Sequence, residues 1–123
     1  MKFCEDHNQD QYQITGYNDK SVHVNNKAFD TGFIVTPNSF IPDWQPQRYS
    51  ELEIHHLKAL FDFKPDVILL GTGIKQTYPP KDIYLAFIKS GIGFEIMDTQ
   101  AACRTFNILI SEDRHVAAAL FTK

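Results

Sequence analysis

The sequence predicts an α/β protein, with antiparallel β-hairpins at its front and a largely parallel, helix-covered sheet behind them. Short alternating strands with tight connections fill the first third. Continuous apolar strands take turns with helical segments in the second half. The 123 residues, 43% of them hydrophobic, suit a single domain over 1–123 with a full core. A chain of this size buries roughly two-thirds of its unfolded surface, so neither disulfide nor metal is needed for folding.

In order along the chain, Tyr12, Ile14 and Gly16 alternate with Gln11, Gln13 and Thr15, and Tyr17 to Lys20 supply turn residues. Val22 and Val24 form a second run, closed by Asn25-Asn26, a pair that tolerates the positive φ of a tight hairpin turn. Phe33-Ile34-Val35 is a third. The connections are too short for crossover helices, so these strands read as antiparallel. Pro37, Pro42 and Pro46 make 37–49 an irregular stretch. Ser50 reads as a helix N-cap with Glu53 completing a capping box, and Ile54, Leu57, Leu60 and Phe61 extend a helix from Glu51 to Phe61. Val67 to Leu70 is a strand too short for a helix, stopped by Gly71-Thr72-Gly73. Tyr78-Pro79-Pro80 opens a helix over Lys81–Ser90, which Gly91 ends. Phe94–Met97 is the next strand, Asp98 or Thr99 caps a helix from Gln100 to Ser111, and Val116–Phe121 is the last strand.

Net charge is −3 and no lysine or arginine run exists, which argues against a phosphate-neutralising, nucleic-acid-binding surface. The two cysteines, Cys4 and Cys103, are no disulfide framework and fit a reducing compartment. The opening Met1–Asp6 has acids where a signal peptide needs an apolar stretch, and it lacks an Arg-rich leader. Val67–Leu70, the longest aliphatic run, falls far short of the roughly 20 residues of a membrane span. These features predict a cytoplasmic protein with no membrane insertion.

The stretch Gly91–Leu109 (GIGFEIMDTQAACRTFNIL), with Val67–Gly73 (VILLGTG) and Glu112-x-Arg114-x-Val116-Ala117-Ala118-Ala119-Leu120, resembles the uncharacterised Mth938-like domain family. That family includes mitochondrial complex I assembly factor 3 and bacterial and archaeal single-domain relatives. The likeness is weak in the hairpins and strong from Val67 onward. It implies a three-layer α/β fold around a mixed sheet, and a protein that binds other proteins rather than transforming a substrate. Without a mitochondrial leader, the chain looks like a bacterial member. Fold alone does not carry the assembly role across.

Several residues carry chemistry worth testing. Gly71-Thr72-Gly73 follows a strand as phosphate-cradling loops do, but the spacing to the next helix fails the dinucleotide pattern. A tight strand exit is the favoured reading of this segment. Asp98 and Thr99 end the following strand. If the two strands are neighbours, Gly71, Thr72, Gly73, Asp98, Thr99, Cys103 and Arg104 form a candidate anion or small-molecule pocket at the strand ends, with Arg104 as clamp. Capping alone also accounts for Asp98. Cys103 sits where a helix N-terminus lowers a thiol pKa, or it packs as a small hydrophobe. Glu95, inside a strand expected to be covered on both faces, needs a partner, predicted as a buried ion pair with Arg104 or Arg114. His55-His56 are adjacent and point about 100° apart on a helix, so they cannot chelate together; no metal site and no cofactor are expected. Gly-x-Ser-x-Gly is absent. Phe40, Ile41 and Trp44 form the candidate interface, since apolar loop residues either tuck back or make an adhesive patch.

These readings favour a non-enzymatic protein-binding module, assembly-factor-like, whose partner is another protein or a second copy of itself. The alternative is a small-molecule or anion binder, or a cryptic enzyme, using the strand-end pocket.

Overall fold

The computed structural model describes residues 11–123; Met1–Asp6, Cys4 and His7 lie outside them. A front sheet holds β1 (Ile14–Tyr17), β2 (Val22–Val24) and β3 (Lys27–Phe29), all antiparallel. Asn25 and Asn26 take φ of 50° and 71°, as the hairpin turn between β2 and β3 demands. The main sheet runs β5-β4-β8-β6-β7, from β4 (Phe33–Val35), β5 (Phe40–Ile41), β6 (Val67–Thr72), β7 (Gly93–Met97) and β8 (Val116–Phe121). β6 pairs in parallel with β7 and β8, whereas β4 meets β8 antiparallel.

The sheet is mixed and covered on both faces, giving three layers. Side chains alternate along each strand. Ile34, Ile68, Leu70, Ala117, Ala119 and Phe121 face one layer, built from Trp44, Leu52, Leu57, α1 (Lys58–Phe61) and α2 (Lys81–Ser90). Phe33, Val35, Leu69, Val116, Ala118 and Leu120 face the other, where α3 (Thr99–Ser111) contributes Ala102, Cys103 and Phe106, and the front sheet contributes Ile14, Val22 and Val24. The central strand β8 carries Ala117-Ala118-Ala119, small enough to let both layers press close. Gly91 stops α2 at φ 75°, the left-handed conformation that glycine adopts without a Cβ penalty.

Three expectations change. Phe33–Val35 leaves the hairpins and enters the main sheet beside β8. Phe40–Ile41, inside the proline-rich stretch, pairs antiparallel with β4. The helix expected over Glu51–Phe61 is split into two 3₁₀ turns, Tyr49–Glu51 and Ile54–Leu57, followed by α1. Extended backbone at Leu52 and Glu53 breaks it. The reason is geometric: five residues of continuous helix would separate Leu52 and Leu57 by about 140°, yet both are buried in one layer with Leu60. The expected Ser50 capping box does not form. Glu51 Oε1 instead accepts from the Gln47 and Arg48 backbone N–H groups at 3.0 and 3.4 Å.

The loop residues Phe40, Ile41 and Trp44 tuck back onto the domain. Trp44 is 6% exposed, its ring 5.4 Å from that of Phe121. Phe40 packs among Tyr12, Phe29 and Phe33. Trp44→Ala should therefore destabilise the domain by about 3–5 kcal/mol, read as a lower urea midpoint with an unchanged m-value.

Candidate functional site

The strands β6 and β7 are neighbours, and their carboxyl ends bring Gly71, Thr72, Gly73, Asp98 and Thr99 together. The convergence predicted from sequence is present, but protein groups fill it. Thr99 Oγ1 accepts from the Gly73 N–H at 2.8 Å and donates to the Phe121 carbonyl. The Thr99 N–H donates back to the Gly73 carbonyl at 2.9 Å. Thr72 Oγ1 donates to the Lys75 carbonyl at 2.6 Å and accepts from the Thr77 N–H at 3.1 Å. Asp98 caps α3 by accepting from the Ala101 N–H at 2.9 Å. An anion would need such donors free, and here they point at protein acceptors. What remains is a crevice of about 10 Å³ between Asn18, Asp19, Gly73, Ile74, Thr99 and Gln100, room for about one water.

Gly71 makes this closure sterically feasible. A Cβ there would lie 2.9 Å from Thr99 Oγ1, 3.1 Å from Thr99 Cα and 2.8 Å from Leu120 Cδ2. The glycine thus serves close packing of α3 against β6 rather than the approach of a phosphate.

Cys103 is fully buried in the apolar layer beneath α3. Burial pushes its thiol up to about 12, overriding the lowering pull of Arg104. The side chain packs there as a small hydrophobe. Arg104 points outward, its guanidinium donating to the Tyr17 hydroxyl at 3.5 Å; it does not line the crevice.

The predicted ion pair between Glu95 and Arg104 is absent, and Arg114 does not replace it. Among the described residues the ion pairs are Lys58–Asp62 and His55–Glu53, and Glu95 is exposed. β7 is an edge strand, and α3 packs over β6 and β8. The carboxylate therefore projects past the rim of the helical layer into water and needs no partner.

A groove of about 610 Å³ lies below the Trp44 loop, between Ile41, Asp43, Gln45, His55, His56 and Ala59. The two histidine rings are 4.1 Å apart. His56 Nδ1 accepts from the Glu53 N–H at 2.9 Å, and partial burial, then the neighbouring His55, hold its pKa below the usual imidazole range. A second groove of about 590 Å³ runs between Leu52, Ile54, Pro80 and Ile83. Ile54, beside this groove, is exposed. Away from the groove, on and beside the outer side of α2, Tyr78, Tyr84, Leu85 and Ile88 are large apolar residues left exposed, Tyr78 by 65% and Ile88 by 51%; they were not singled out from the sequence as a surface. Tyr84 links the surface together, its ring 6.3 Å from Tyr78 and 5.7 Å from Phe94. A signal existed: α2 buries Ile83 and Phe87, so Tyr84, Leu85 and Ile88 make the helix apolar on its opposite side as well.

Residues 14–121 match the model of a family described as proteins of unknown function, DUF498/DUF598. A zebrafish (Danio rerio) NADH dehydrogenase (ubiquinone) 1 alpha subcomplex assembly factor 3 is 30% identical over 109 residues, covering 87% of this chain and 62% of that protein. A "13 kDa major membrane protein" of Francisella tularensis is 37% identical over 65 residues, 53% of each chain. The chain thus spans little more than half the length of these curated relatives. Among solved structures, a Xanthomonas campestris protein superposes with a TM-score of 0.83 at 34% identity, over 99% of this chain and 92% of that one. A Bordetella pertussis protein described as a Mth938-like domain does so at 0.75 and 27% identity, over 90% and 85%. No helix among the described residues is long and apolar enough to cross a membrane.

Two outcomes are expected. Thr99→Val, which keeps the shape but leaves the Gly73 N–H and Phe121 carbonyl without a partner, should cost about 3 kcal/mol in urea unfolding; Thr99→Ser should cost about 1 kcal/mol. In native protein, iodoacetamide should leave Cys103 unmodified from neutral pH up to about pH 9, as read by peptide mass spectrometry, and label it once urea unfolds the chain.

Proposed function

This chain belongs to the DUF498/DUF598 family, and on that footing we propose that it is a non-enzymatic, assembly-factor-like protein-binding module. The observation that carries the reading is the exposed apolar surface on the outer side of α2, formed by Tyr84, Leu85 and Ile88 with the neighbouring Tyr78. An apolar patch of this kind on a domain with an otherwise closed core is where a partner's side chains gain most by leaving water. Tyrosine and isoleucine side chains there supply broad contact area without a buried charge. The zebrafish relative's name describes an assembly factor, which supports a protein as the natural occupant.

The alternative, a ligand or anion site at the strand ends, has less behind it. Its donors are engaged by Thr99 and Lys75, and its crevice has about 10 Å³. The docking role accordingly moves from the Trp44 loop to the neighbouring α2 surface. The cytoplasm is the proposed compartment, a reading that rests on Cys103 being free and buried and on the apolar runs being short.

The test is affinity purification from native lysate with mass spectrometry. Partners captured by wild type should be lost with Ile88→Asp and reduced at least tenfold with Tyr84→Ala, while both variants unfold within about 0.5 kcal/mol of wild type. Retention of every partner by Ile88→Asp would rule out this surface.

A further inference from the structure

We propose that a second copy of this chain is itself an occupant of the α2 surface, docked about a two-fold axis with the two α2 helices antiparallel. The inference rests on the reading of this surface as a docking site and names its partner. α2 buries Ile83 and Phe87 on the inner side and leaves Leu85 and Ile88 exposed on the outer side. Asp82 and Lys89, both exposed, are seven residues apart, which is close to two turns. They therefore sit on the same flank of the outer stripe, one at each end of the helix.

That arrangement is self-complementary in one orientation. When two identical helices pack antiparallel, the same flank of each faces the other, with the residue order reversed. Asp82 of one copy then meets Lys89 of its partner, and the symmetry makes the contact twice. Leu85 and Ile88 of both copies fill the space between. Lys81, also exposed, falls near the Ser90–Gly91 end of the opposing helix, where the negative end of the helix dipole lies. A two-fold axis along the helices would set them parallel, with the Asp82–Lys89 flanks of the two copies on opposite sides of the seam, so neither charge would meet its complement. An unrelated partner must bring its own matching charges, whereas a second copy has them by symmetry.

Sedimentation equilibrium of the whole chain, from low micromolar to several hundred micromolar, tests this. Wild type should show a monomer–dimer equilibrium, and Ile88→Asp should stay monomeric throughout with unchanged circular dichroism. Asp82→Lys and Lys89→Asp should each weaken the dimer about tenfold, since each converts two attractive contacts into repulsive ones. An equimolar mixture of the two variants should form heterodimers close to wild-type affinity. In the mixed dimer one chain carries lysine at both of these positions and the other carries aspartate at both, so each contact is again opposite in sign. Monomeric wild type at the highest concentration overturns the proposal, as does a dimer unaffected by Ile88→Asp or a mixture no tighter than its components. The protein-binding reading fails separately, through capture of other proteins that Ile88→Asp leaves intact. A dimer accompanied by that result would support self-association and end the wider role.

Discussion

One hydroxyl group, that of Thr99, joins the three elements that define the back half of the molecule. It accepts from the end of β6 and donates to the end of β8, while its own residue opens α3. β6 and β8 are adjacent parallel strands connected only through α2, β7 and α3, so their register depends on long-range contacts. A buried hydroxyl bonded to both strand ends fixes that register, because a slip would orphan a donor and an acceptor in an apolar layer. Gly71 and Asp98 serve the same junction. The first leaves room for Thr99 against β6, and the second ends β7 and starts α3 by capping.

This junction also decides what the strand ends can do. In open α/β sheets the carboxyl edge binds ligands because helix N-termini leave N–H groups pointing into a crevice. Here the Gly73 N–H, which could serve such a site, is taken by Thr99, and the crevice closes to the size of about one water. The fold's usual binding edge has become a structural joint. On the outside of the layers, by contrast, Tyr84, Leu85 and Ile88 remain in water.

Much of this was legible in the residues, and the rest was hidden for identifiable reasons. The β6, β7 and β8 strands, α2, α3 and the Asp98 cap follow from short-range signals: apolar runs, Gly and Pro stops, a capping side chain. The meeting of Gly71 with Asp98 and Thr99 needed only the parallel neighbourhood of β6 and β7. Glu95 was misjudged because its burial depends on strand order. An apolar strand reads alike at the centre or the edge of a sheet, and only the placement of α3 over β6 and β8 exposes the carboxylate. The helix before α1 was misjudged because local periodicity cannot report that Leu52 and Leu57 must enter the same layer. Trp44 could have gone either way from sequence, and packing on Phe121 decided it.

The exposed stripe of α2 raises a different point, since it is costly to leave in water. α2 flanks the edge strand β7, with the Tyr84 ring against Phe94, and this corner of the sheet lacks a further strand or helix to cover it among the described residues. Charged residues at the exposed positions would relieve that cost, and the helix does have them at its ends, in Lys81, Asp82 and Lys89. Between them the outer positions are Tyr84, Leu85 and Ile88. Polar ends around an apolar middle match the rim and centre of a protein interface, whereas a merely solvated helix face would be charged along its whole length.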